Sequence, residues 1–218
     1  MILKNFINIF LEVSDIKMNE YYYTPNPDVV HELHIWKYEL LGNDLKFTTD
    51  NGVFSKRTVD YGSSTLVKNI NMNKIPAGNI LDLGCGYGPM GIALAKNYPN
   101  RIFEMVDVNN LALSLAKKNA EQNSVKNVKI HNSDIYENVK DRFAAILTNP
   151  PVRAGKKVVN DMISGSLEHL VKNGTLTVVL QKKQGAPSAK KLMNSLFGNC
   201  KIIRKDKGYY ILESTFEG

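Results

Sequence analysis

The pattern of apolar and polar residues changes near residue 62. Before it, two runs rich in aromatic and aliphatic residues, 35–41 and 44–49, flank Gly42 and Asn43 and predict a β-hairpin. After it, short apolar runs alternate with helical patterns. The predicted strands cover residues 79–83, 102–108, 128–131, 143–147 and 175–180, and the predicted helices cover 64–70, 90–97, 110–123 and 157–172, the last ending at an Asn173-Gly174 C-cap.

The C-terminal region adds one helix and two strands. The helix begins at Ser188 and ends near Gly198, and the strands, 201–205 and 209–215, are joined by a turn at Lys207-Gly208. Alternation of strands and helices predicts a mostly parallel sheet covered by helices on both faces. We therefore expect a single α/β domain over residues 19–218, in which 35–61 form a small N-terminal β extension and 62–218 form the core.

The first residues need a separate interpretation. Apolar residues recur at helical spacing from Ile2 to Ile16, Glu12 and Asp15 interrupt them, and no small-residue cleavage site follows. A secretory signal therefore fits poorly, and an amphipathic helix fits better. Residues 1–18 are either such an extension or a segment that precedes the natural start at Met18.

Composition and charge limit the classes of protein to consider. Of the 218 residues, 43% are apolar and 22% charged, values typical of a globular protein, and the formal net charge of +7 favours an anionic partner. No apolar run approaches the roughly 20 residues needed to cross a bilayer. Cys85 and Cys200 are too few for a disulfide framework, so we expect reduced thiols and a cytoplasmic protein. His31 and His34 lack the pattern of a helical zinc pair, and we expect no metal site.

The segment ILDLGCGYGPMG, residues 80–91, is typical of a strand that leads through a glycine loop into a helix. Such a loop brings backbone N–H groups and a helix N-terminus to the carboxyl edge of the sheet, where a ligand can approach the backbone closely. Asp107 follows Gly86 by 21 residues, a spacing at which a carboxylate binds a ribose hydroxyl in nicotinamide enzymes. The pattern therefore predicts an adenosine-containing cofactor, either a nicotinamide dinucleotide or another adenosine derivative. Asp134, in HNSDI, either accepts from an adenine amino group or caps a turn.

The tetrapeptide Asn149-Pro150-Pro151-Val152 separates these alternatives. It follows an apolar strand, and its two prolines stiffen the backbone and remove two N–H donors. The loop therefore presents acceptors, namely carbonyl oxygens and the amide oxygen of Asn149. Two such acceptors can hold a planar amino group while its nitrogen becomes tetrahedral during alkylation. Hydride transfer has no use for this arrangement, so a dehydrogenase is disfavoured.

These motifs carry a family resemblance. ILDLGCGYGPMGIALA, VDVNNLALSLAKKNAEQN, NSDIYENV and TNPPVRAGK look like the successive motifs of class I S-adenosylmethionine-dependent methyltransferases. Residues 48–216, with GVFSKRTVDYGSSTLV and QKKQGAPSAKK, resemble the small-domain branch of guanine-N2 methyltransferases that act on small-subunit ribosomal RNA. The resemblance implies a Rossmann-like fold with a mostly parallel seven-stranded sheet and an antiparallel C-terminal strand. It also implies S-adenosylmethionine as cofactor and RNA as partner.

The resemblance also implies roles for individual residues. The target amine would be received by Asn149 and the Pro150 carbonyl. The candidate cofactor residues are Asp82, Gly84, Cys85, Gly86, Gly88, Asp107, Val108, Asp134, Ile135 and Asn149. The candidate substrate residues are Phe54, Pro151, Val152, Arg153, Lys156, Lys183 and Gln184.

The residue after Pro-Pro departs from the family pattern. Relatives commonly have an aromatic residue after Pro-Pro, whereas this chain has Val152, so we expect stacking from elsewhere, with Phe54 and Tyr87 as candidates.

Basic residues at 153, 156, 157, 182 and 183 are expected at the rim of the crevice and favour RNA phosphates. A protein glutamine amide, as in release-factor methyltransferases, and a non-catalytic RNA-binding protein on the same fold remain the alternatives.

Overall fold

The computed structural model describes residues 23–26 and 30–218. The predicted N-terminal helix and the boundary at residue 18 lie outside the described residues. Within the described residues, no helix has both the length and the apolar character needed to cross a membrane.

Nine strands and five α-helices make up the described chain. The strands are β1 (His34–Leu40), β2 (Asn43–Thr49), β3 (Ile80–Leu83), β4 (Phe103–Asp107), β5 (Val128–Asn132), β6 (Phe143–Thr148), β7 (Leu170–Gln181), β8 (Lys201–Asp206) and β9 (Tyr209–Thr215). The helices are α1 (Tyr61–Asn69), α2 (Pro89–Asn97), α3 (Asn110–Gln122), α4 (Lys156–Gly165) and α5 (Ala186–Phe197).

The predicted architecture is confirmed. Seven strands form one sheet in the order β5-β4-β3-β6-β7-β9-β8, and β9 runs antiparallel to both of its neighbours. Successive strand residues join different apolar clusters, as Ile80 and Leu81 do, because side chains alternate between the two faces of a sheet. The strand order reverses between β3 and β6, and ligands bind at the carboxyl edge of such a switch point.

The predicted hairpin is confirmed and packs directly on the core. Strands β1 and β2 pair antiparallel in a separate two-stranded sheet. The buried side chain of Asn119 in α3 accepts from the Thr48 N–H at 2.7 Å and donates to the Thr48 carbonyl at 3.0 Å. The same amide nitrogen donates to the Tyr87 carbonyl at 2.9 Å, so one asparagine ties the hairpin to the glycine loop.

The prediction of a helix over 157–172 is wrong in its final part. Helix α4 ends at Gly165, a 3-10 turn follows, and Leu170 already pairs with Phe143 in the sheet. Asn173 and Gly174 form an irregularity inside β7, where the Asn173 N–H donates to the Phe216 carbonyl at 2.6 Å. An Asn-Gly pair favours left-handed backbone at a bulge as well as at a helix end, and Asn173 has a φ of 63°.

Asp82, in β3, is buried against the first turn of α2. Its side chain is 0% exposed, and its Oδ2 accepts from the Gly91 N–H at 2.8 Å. Its Oδ1 has no hydrogen-bond partner in the described chain. Burial raises the pKa of Asp82 to about 7, with Asp107 adding to the rise and the Gly91 N–H opposing it. Asp82 thus fixes α2 to the sheet at the expense of a desolvated carboxylate.

We expect Gly174→Ala to destabilise the protein by about 1–3 kcal/mol, since there is no space for a methyl group. An added Cβ would lie 2.8 Å from the Val171 carbonyl oxygen and 3.0 Å from that of Phe143, and both are backbone atoms. Chemical denaturation measures the change, and the exposed neighbour Lys172→Ala is the control. Equal stability of the two variants would contradict this packing.

We expect the free energy of unfolding to fall as pH rises from about 4 to about 7, in part because of Asp82. Over this window the folded state retains a proton on Asp82 that the unfolded chain, with a pKa of 3.8, has released. Asp82→Asn, which stays neutral, should therefore narrow the difference between denaturation midpoints at pH 5 and pH 8. Glu121→Gln, which removes an exposed carboxylate of α3, is the control, and an unchanged difference in Asp82→Asn would refute the assignment.

Candidate active site

A cavity of about 440 Å³ opens at the carboxyl edge of β3 and β6. Its wall combines the glycine loop after β3, the segment after β2, and the loop that follows β6. The predicted site residues in its wall are Phe54, Gly84, Cys85, Gly86, Asp107, Val108, Ile135, Asn149, Pro150, Pro151, Val152, Arg153 and Gln184. The volume lies within the range of small-molecule and cofactor sites.

The glycines of the loop have two different functions. Gly84 and Gly86 line the cavity with positive φ angles, and a Cβ on Gly86 would have no atom within 4 Å. The space above Gly86 is therefore open to a ligand that contacts the backbone. Gly88, predicted to bind cofactor, lies outside the cavity wall, because a Cβ there would be 2.8 Å from Ile92 and from Met105. It permits α2 to pack closely on the sheet.

Asp107 lies in the cavity wall at the end of β4. Its Oδ2 accepts from the Gly86 N–H at 2.8 Å, and its Oδ1 accepts from the Asn109 N–H at 2.9 Å. Burial raises the pKa of Asp107, while these backbone donors lower it. The residue is partly exposed, and each carboxylate oxygen has a further lone pair, so a hydroxyl group in the cavity can donate to it.

Two predicted cofactor residues, Asp82 and Asp134, lie outside the cavity wall, and a third, Cys85, lies in it. Asp82 lies beneath the cavity and bonds to α2, because the apolar sheet surrounds it. Asp134 is exposed outside the wall, and its Oδ1 accepts from the Tyr23 hydroxyl at 3.0 Å. Cys85 does line the cavity, but burial raises the pKa of its thiol well above the ordinary value, which disfavours a nucleophilic thiolate.

Asn149 follows β6 directly and faces the cavity with its side chain held in one orientation. Its Nδ2 donates to Asp60 Oδ2 at 2.8 Å and to Ser63 Oγ at 2.9 Å. A carboxylate is only an acceptor, so Asp60 requires the nitrogen of the amide and directs the oxygen away from itself. Among the described residues, none donates a hydrogen bond to Asn149 Oδ1.

Asp60 and Ser63 belong to the first turn of α1. Asp60 is the N-cap residue, and its Oδ2 also accepts from the Ser63 N–H at 3.0 Å. The helix cap and the amide of Asn149 therefore share one carboxylate oxygen. Sequence reasoning missed both residues as site residues, although the pattern of aspartate three residues before serine in VDYGSS is a recognisable helix start.

The prolines make the loop after Asn149 a source of acceptors. Pro150 is buried and lies in the cavity wall with Pro151. Val152 begins a 3-10 turn, Val152–Ala154, and packs against the apolar cluster beneath the loop. Among the described residues, no backbone N–H donates to the carbonyl oxygen of Pro150. The loop therefore offers that carbonyl and Asn149 Oδ1 to the cavity.

Of the two aromatic candidates for stacking, only Phe54 has the required exposure. Phe54 lines the cavity and is 55% exposed. Tyr87 is 3% exposed, its ring packs against Trp36 and Phe47, and its hydroxyl donates to the carbonyls of Ser55 and Thr58. Tyr87 also borders the cavity, but Trp36 and Phe47 pack against its ring, so Phe54 is the better-placed candidate for stacking.

The basic residues divide into several groups. Arg153 lines the main cavity, and Lys156 lines a neighbouring cavity of about 200 Å³ together with Gln184. Lys183 is exposed outside both walls, beyond the end of β7. Lys157 forms an ion pair with Asp161 at 2.7 Å on the exposed face of α4. The rim therefore carries positive charge, and part of it is already compensated by neighbouring carboxylates.

Further residues in the wall had no signal in the sequence pattern. Tyr209 begins β9, Gln181 ends β7, and Met162 lies in α4, so their approach to the cavity depends on the sheet order. Tyr23 lies in the wall as well, on a segment with no periodicity of its own. Burial and the nearby Asp134 raise the pKa of the Tyr23 hydroxyl, which keeps it a hydrogen-bond donor.

The arrangement places a backbone-lined pocket beside a pair of outward-facing acceptors. The pocket, with Gly86 at its floor and Asp107 at its side, suits a ligand with a ribose. The acceptors, at Asn149 and Pro150, suit a planar group with two N–H bonds. In the sheet, Asp82 pairs with Leu147, so the glycine loop and the Asn149 loop leave adjacent strands at the same level.

Comparisons with known proteins identify relatives of this chain. A Bacillus subtilis protein, the uncharacterized protein YbxB, is 47% identical over 199 residues, which are 90% of this chain and 98% of that protein. Ribosomal RNA small subunit methyltransferase C of Hamiltonella defensa is 33% identical over 177 residues, 79% of this chain and 51% of that protein. The chain spans about half the length of the curated ribosomal RNA methyltransferases it matches.

A solved structure shares the fold. The T. thermophilus 16S rRNA N2 methyltransferase RsmC, in complex with AdoMet and guanosine, superposes with a TM-score of 0.76 at 23% identity, over 87% of this chain and 52% of that one. The profile of the methyltransferase small domain family matches residues 44–213 of this chain, which include most of β2, the glycine loop and the Asn149 loop. The chain therefore belongs to the methyltransferase small domain family, as its motifs predicted.

Proposed function

We propose that this protein is an S-adenosylmethionine-dependent methyltransferase that modifies an exocyclic amino group of RNA, namely guanine N2 in small-subunit ribosomal RNA. The observation that carries the proposal is the fixed amide of Asn149, a residue of the cavity wall whose nitrogen donates to Asp60 and Ser63 and whose oxygen is thereby left to accept from a ligand. An oxygen in that position receives an N–H group of a substrate.

The residues present fit the cofactor. The open space above Gly86 accommodates a ligand that approaches the backbone, and Asp107 retains lone pairs for ribose hydroxyls. Ser133 and Ile135 complete the wall on the side of β5. When bound, S-adenosylmethionine supplies a methyl group attached to a positively charged sulfur.

The protein contributes two hydrogen-bond acceptors to the proposed reaction. Asn149 Oδ1 and the Pro150 carbonyl accept hydrogen bonds from the two protons of the target amine. The amine lone pair is delocalised in the planar ground state and becomes available as the nitrogen turns tetrahedral. With the cofactor bound, this nitrogen would accept the methyl group as the sulfur–carbon bond breaks, and its surplus proton would leave to water. Positioning and acceptor placement supply the rate enhancement, and no strong base is needed.

RNA is favoured over a protein amide by the rim of the cavity. Arg153 lies in the wall, and the exposed Lys182 and Lys183 follow the end of β7. Such residues bind phosphates without reading sequence. The curated relatives named ribosomal RNA small subunit methyltransferase C support the same substrate class. Labelled methyl transfer to ribosomal RNA and to protein fractions distinguishes the two substrates.

We expect Asn149→Ala to lower kcat for methyl transfer by about 10²–10³-fold, because one of two acceptors for the amine is lost. Binding of S-adenosylmethionine, measured by calorimetry, should change by no more than about twofold, since the pocket around Gly86 is untouched. Transfer is measured with tritiated cofactor and ribosomal RNA. Full activity of the variant would remove Asn149 from the mechanism.

We expect Asp60→Ala to lower kcat by about 10²-fold, because the amide of Asn149 loses the acceptor that fixes its orientation. Loss of the N-cap should also cost about 1 kcal/mol of stability. Asp60→Asn is the matched variant, since its side-chain oxygen can still accept from the Ser63 N–H and from Asn149. Recovery of activity in Asp60→Asn at unchanged cofactor affinity separates positioning from folding. Equal losses in both variants would contradict the positioning role.

A further inference from the structure

Tyr209 and Gln181 form a hydrogen-bonded pair in the cavity wall that the proposed mechanism does not use. They lie opposite each other across β7 and β9, and Gln181 Nε2 donates to the Tyr209 hydroxyl at 2.7 Å. Both side chains are partly exposed and line the same cavity as Asn149. A hydrogen-bonded polar pair in a cavity wall is typical of the groups that orient a ligand.

The pair is held rigidly against the residues that orient Asn149. The ring of Tyr209 lies so close to α1 that a Cβ on Gly62 would be 2.9 Å from its Cε1 and 3.0 Å from Asp60 Oδ2. On its other side the Tyr209 ring contacts Tyr61, with ring centroids 5.6 Å apart. Tyr209 therefore neighbours the carboxylate that binds the amide of Asn149.

The hydrogen bond between the two side chains fixes what they offer to a ligand. The Tyr209 oxygen accepts from Gln181, so its own proton remains available for donation. The amide oxygen of Gln181 remains available as an acceptor. The pair therefore presents one donor and one acceptor side by side, next to the acceptor of Asn149.

The chemistry of the bases makes this combination selective. Along the Watson–Crick edge of guanine, the amino group at C2 is followed by the donor N1–H and then by the acceptor O6. In adenine and cytosine, the ring nitrogen beside the amino group is an acceptor. Beyond the amino group, guanine therefore offers one donor and one acceptor, which match the acceptor of Gln181 and the donor of Tyr209. Adenine and cytosine have no donor beside the amino group and leave the Gln181 oxygen unpaired, which costs binding energy.

The geometry points to Tyr209 and Gln181 as the residues that read the Watson–Crick edge of the base whose amino group lies on Asn149, with guanine as the base selected. This inference rests on the proposed function and adds the origin of base specificity. Enzymes that modify a base outside the helical stack read it through such edge contacts.

Lys207 adds a positive charge next to Tyr61 and Tyr209. Its Nζ lies 4.8 Å from the centroid of the Tyr61 ring, at the turn between β8 and β9. The Lys182 N–H donates to the Gly208 carbonyl at 2.8 Å, which joins this turn to the end of β7. The positive charge of Lys207 thus lies beside the Tyr61–Tyr209 ring pair, where it can attract the phosphate of an inserted nucleotide.

The test compares guanosine with 2-aminopurine riboside, which has the same amino group at C2 but an acceptor at N1 and no O6. Binding of each nucleoside is measured by calorimetry in the presence of S-adenosylhomocysteine. We expect the unaltered protein to bind guanosine at least about tenfold more tightly. Gln181→Ala and Tyr209→Phe should bring the ratio of the two affinities close to one.

The matched control is Tyr210→Phe, which removes a hydroxyl from the next residue of β9, outside the cavity wall. It should retain the guanosine preference of the unaltered protein. Equal binding of the two nucleosides by the unaltered protein, no measurable binding of either, or a preference that survives in both cavity variants would overturn the inference. Methyl transfer to ribosomal RNA is measured separately, so its absence would count against the proposed function and not against base reading.

Discussion

In the proposed function, the direction of the Asn149 side-chain amide determines what the crevice can bind. With its nitrogen toward the cavity, Asn149 would present donors to the donors of an amino group. With its oxygen there, it presents an acceptor. The two ends of an amide have nearly the same size, so packing alone does not select between them. The negative oxygen of Asp60 does, because it accepts hydrogen bonds and cannot donate one.

Asp60 can perform this selection because the fold fixes it on two sides. Its Oδ2 caps α1 through the Ser63 N–H, and the absence of a side chain at Gly62 allows the Tyr209 ring to approach. The end of β6, the start of α1 and the start of β9 thus meet around one carboxylate. Movement of any of the three elements would disturb the acceptor at Asn149, so the site depends on the packing of the sheet edge and not on one loop alone.

The sequence predicted the elements with strong periodicity and the loops with distinctive chemistry. Alternating strands and helices predicted the parallel sheet, and the glycine loop and Asn149 loop were expected at its carboxyl edge, where they are found. Local pattern could not separate a helix end from a bulge at Asn173, because both use left-handed backbone. It also could not separate Gly86, which faces the cavity, from Gly88, which faces Met105.

Contacts between distant elements were the information that the sequence lacked. Gln181 and Tyr209 are separated by two elements in the chain, and only the strand order brings them together. Asp60 was recognisable as a helix cap, but its second partner, Asn149, is 89 residues away. A side chain with a complete local explanation thus had a second interaction that only the tertiary structure reveals.

Phe54 is the candidate to replace the aromatic residue that relatives commonly have at the position of Val152. Val152 packs on the apolar cluster beneath the loop, so it offers no flat surface to a base. Phe54 is the most exposed aromatic side chain that the described chain contributes to the wall. Its segment is held by the Tyr87 hydroxyl, and the Tyr87 ring is in turn held by Trp36 of the hairpin.

An aromatic ring whose position is fixed before the base arrives binds the base more tightly, because ordering the ring on binding costs entropy. The hairpin supplies that order through Asn119, which joins Thr48 to the carbonyl of Tyr87. The N-terminal β extension is therefore better understood as a structural part of the site than as an appendage. In the proposed reaction, Phe54 on the hairpin side faces the plane of the base, while the Asn149 loop contributes the acceptors for its amino group.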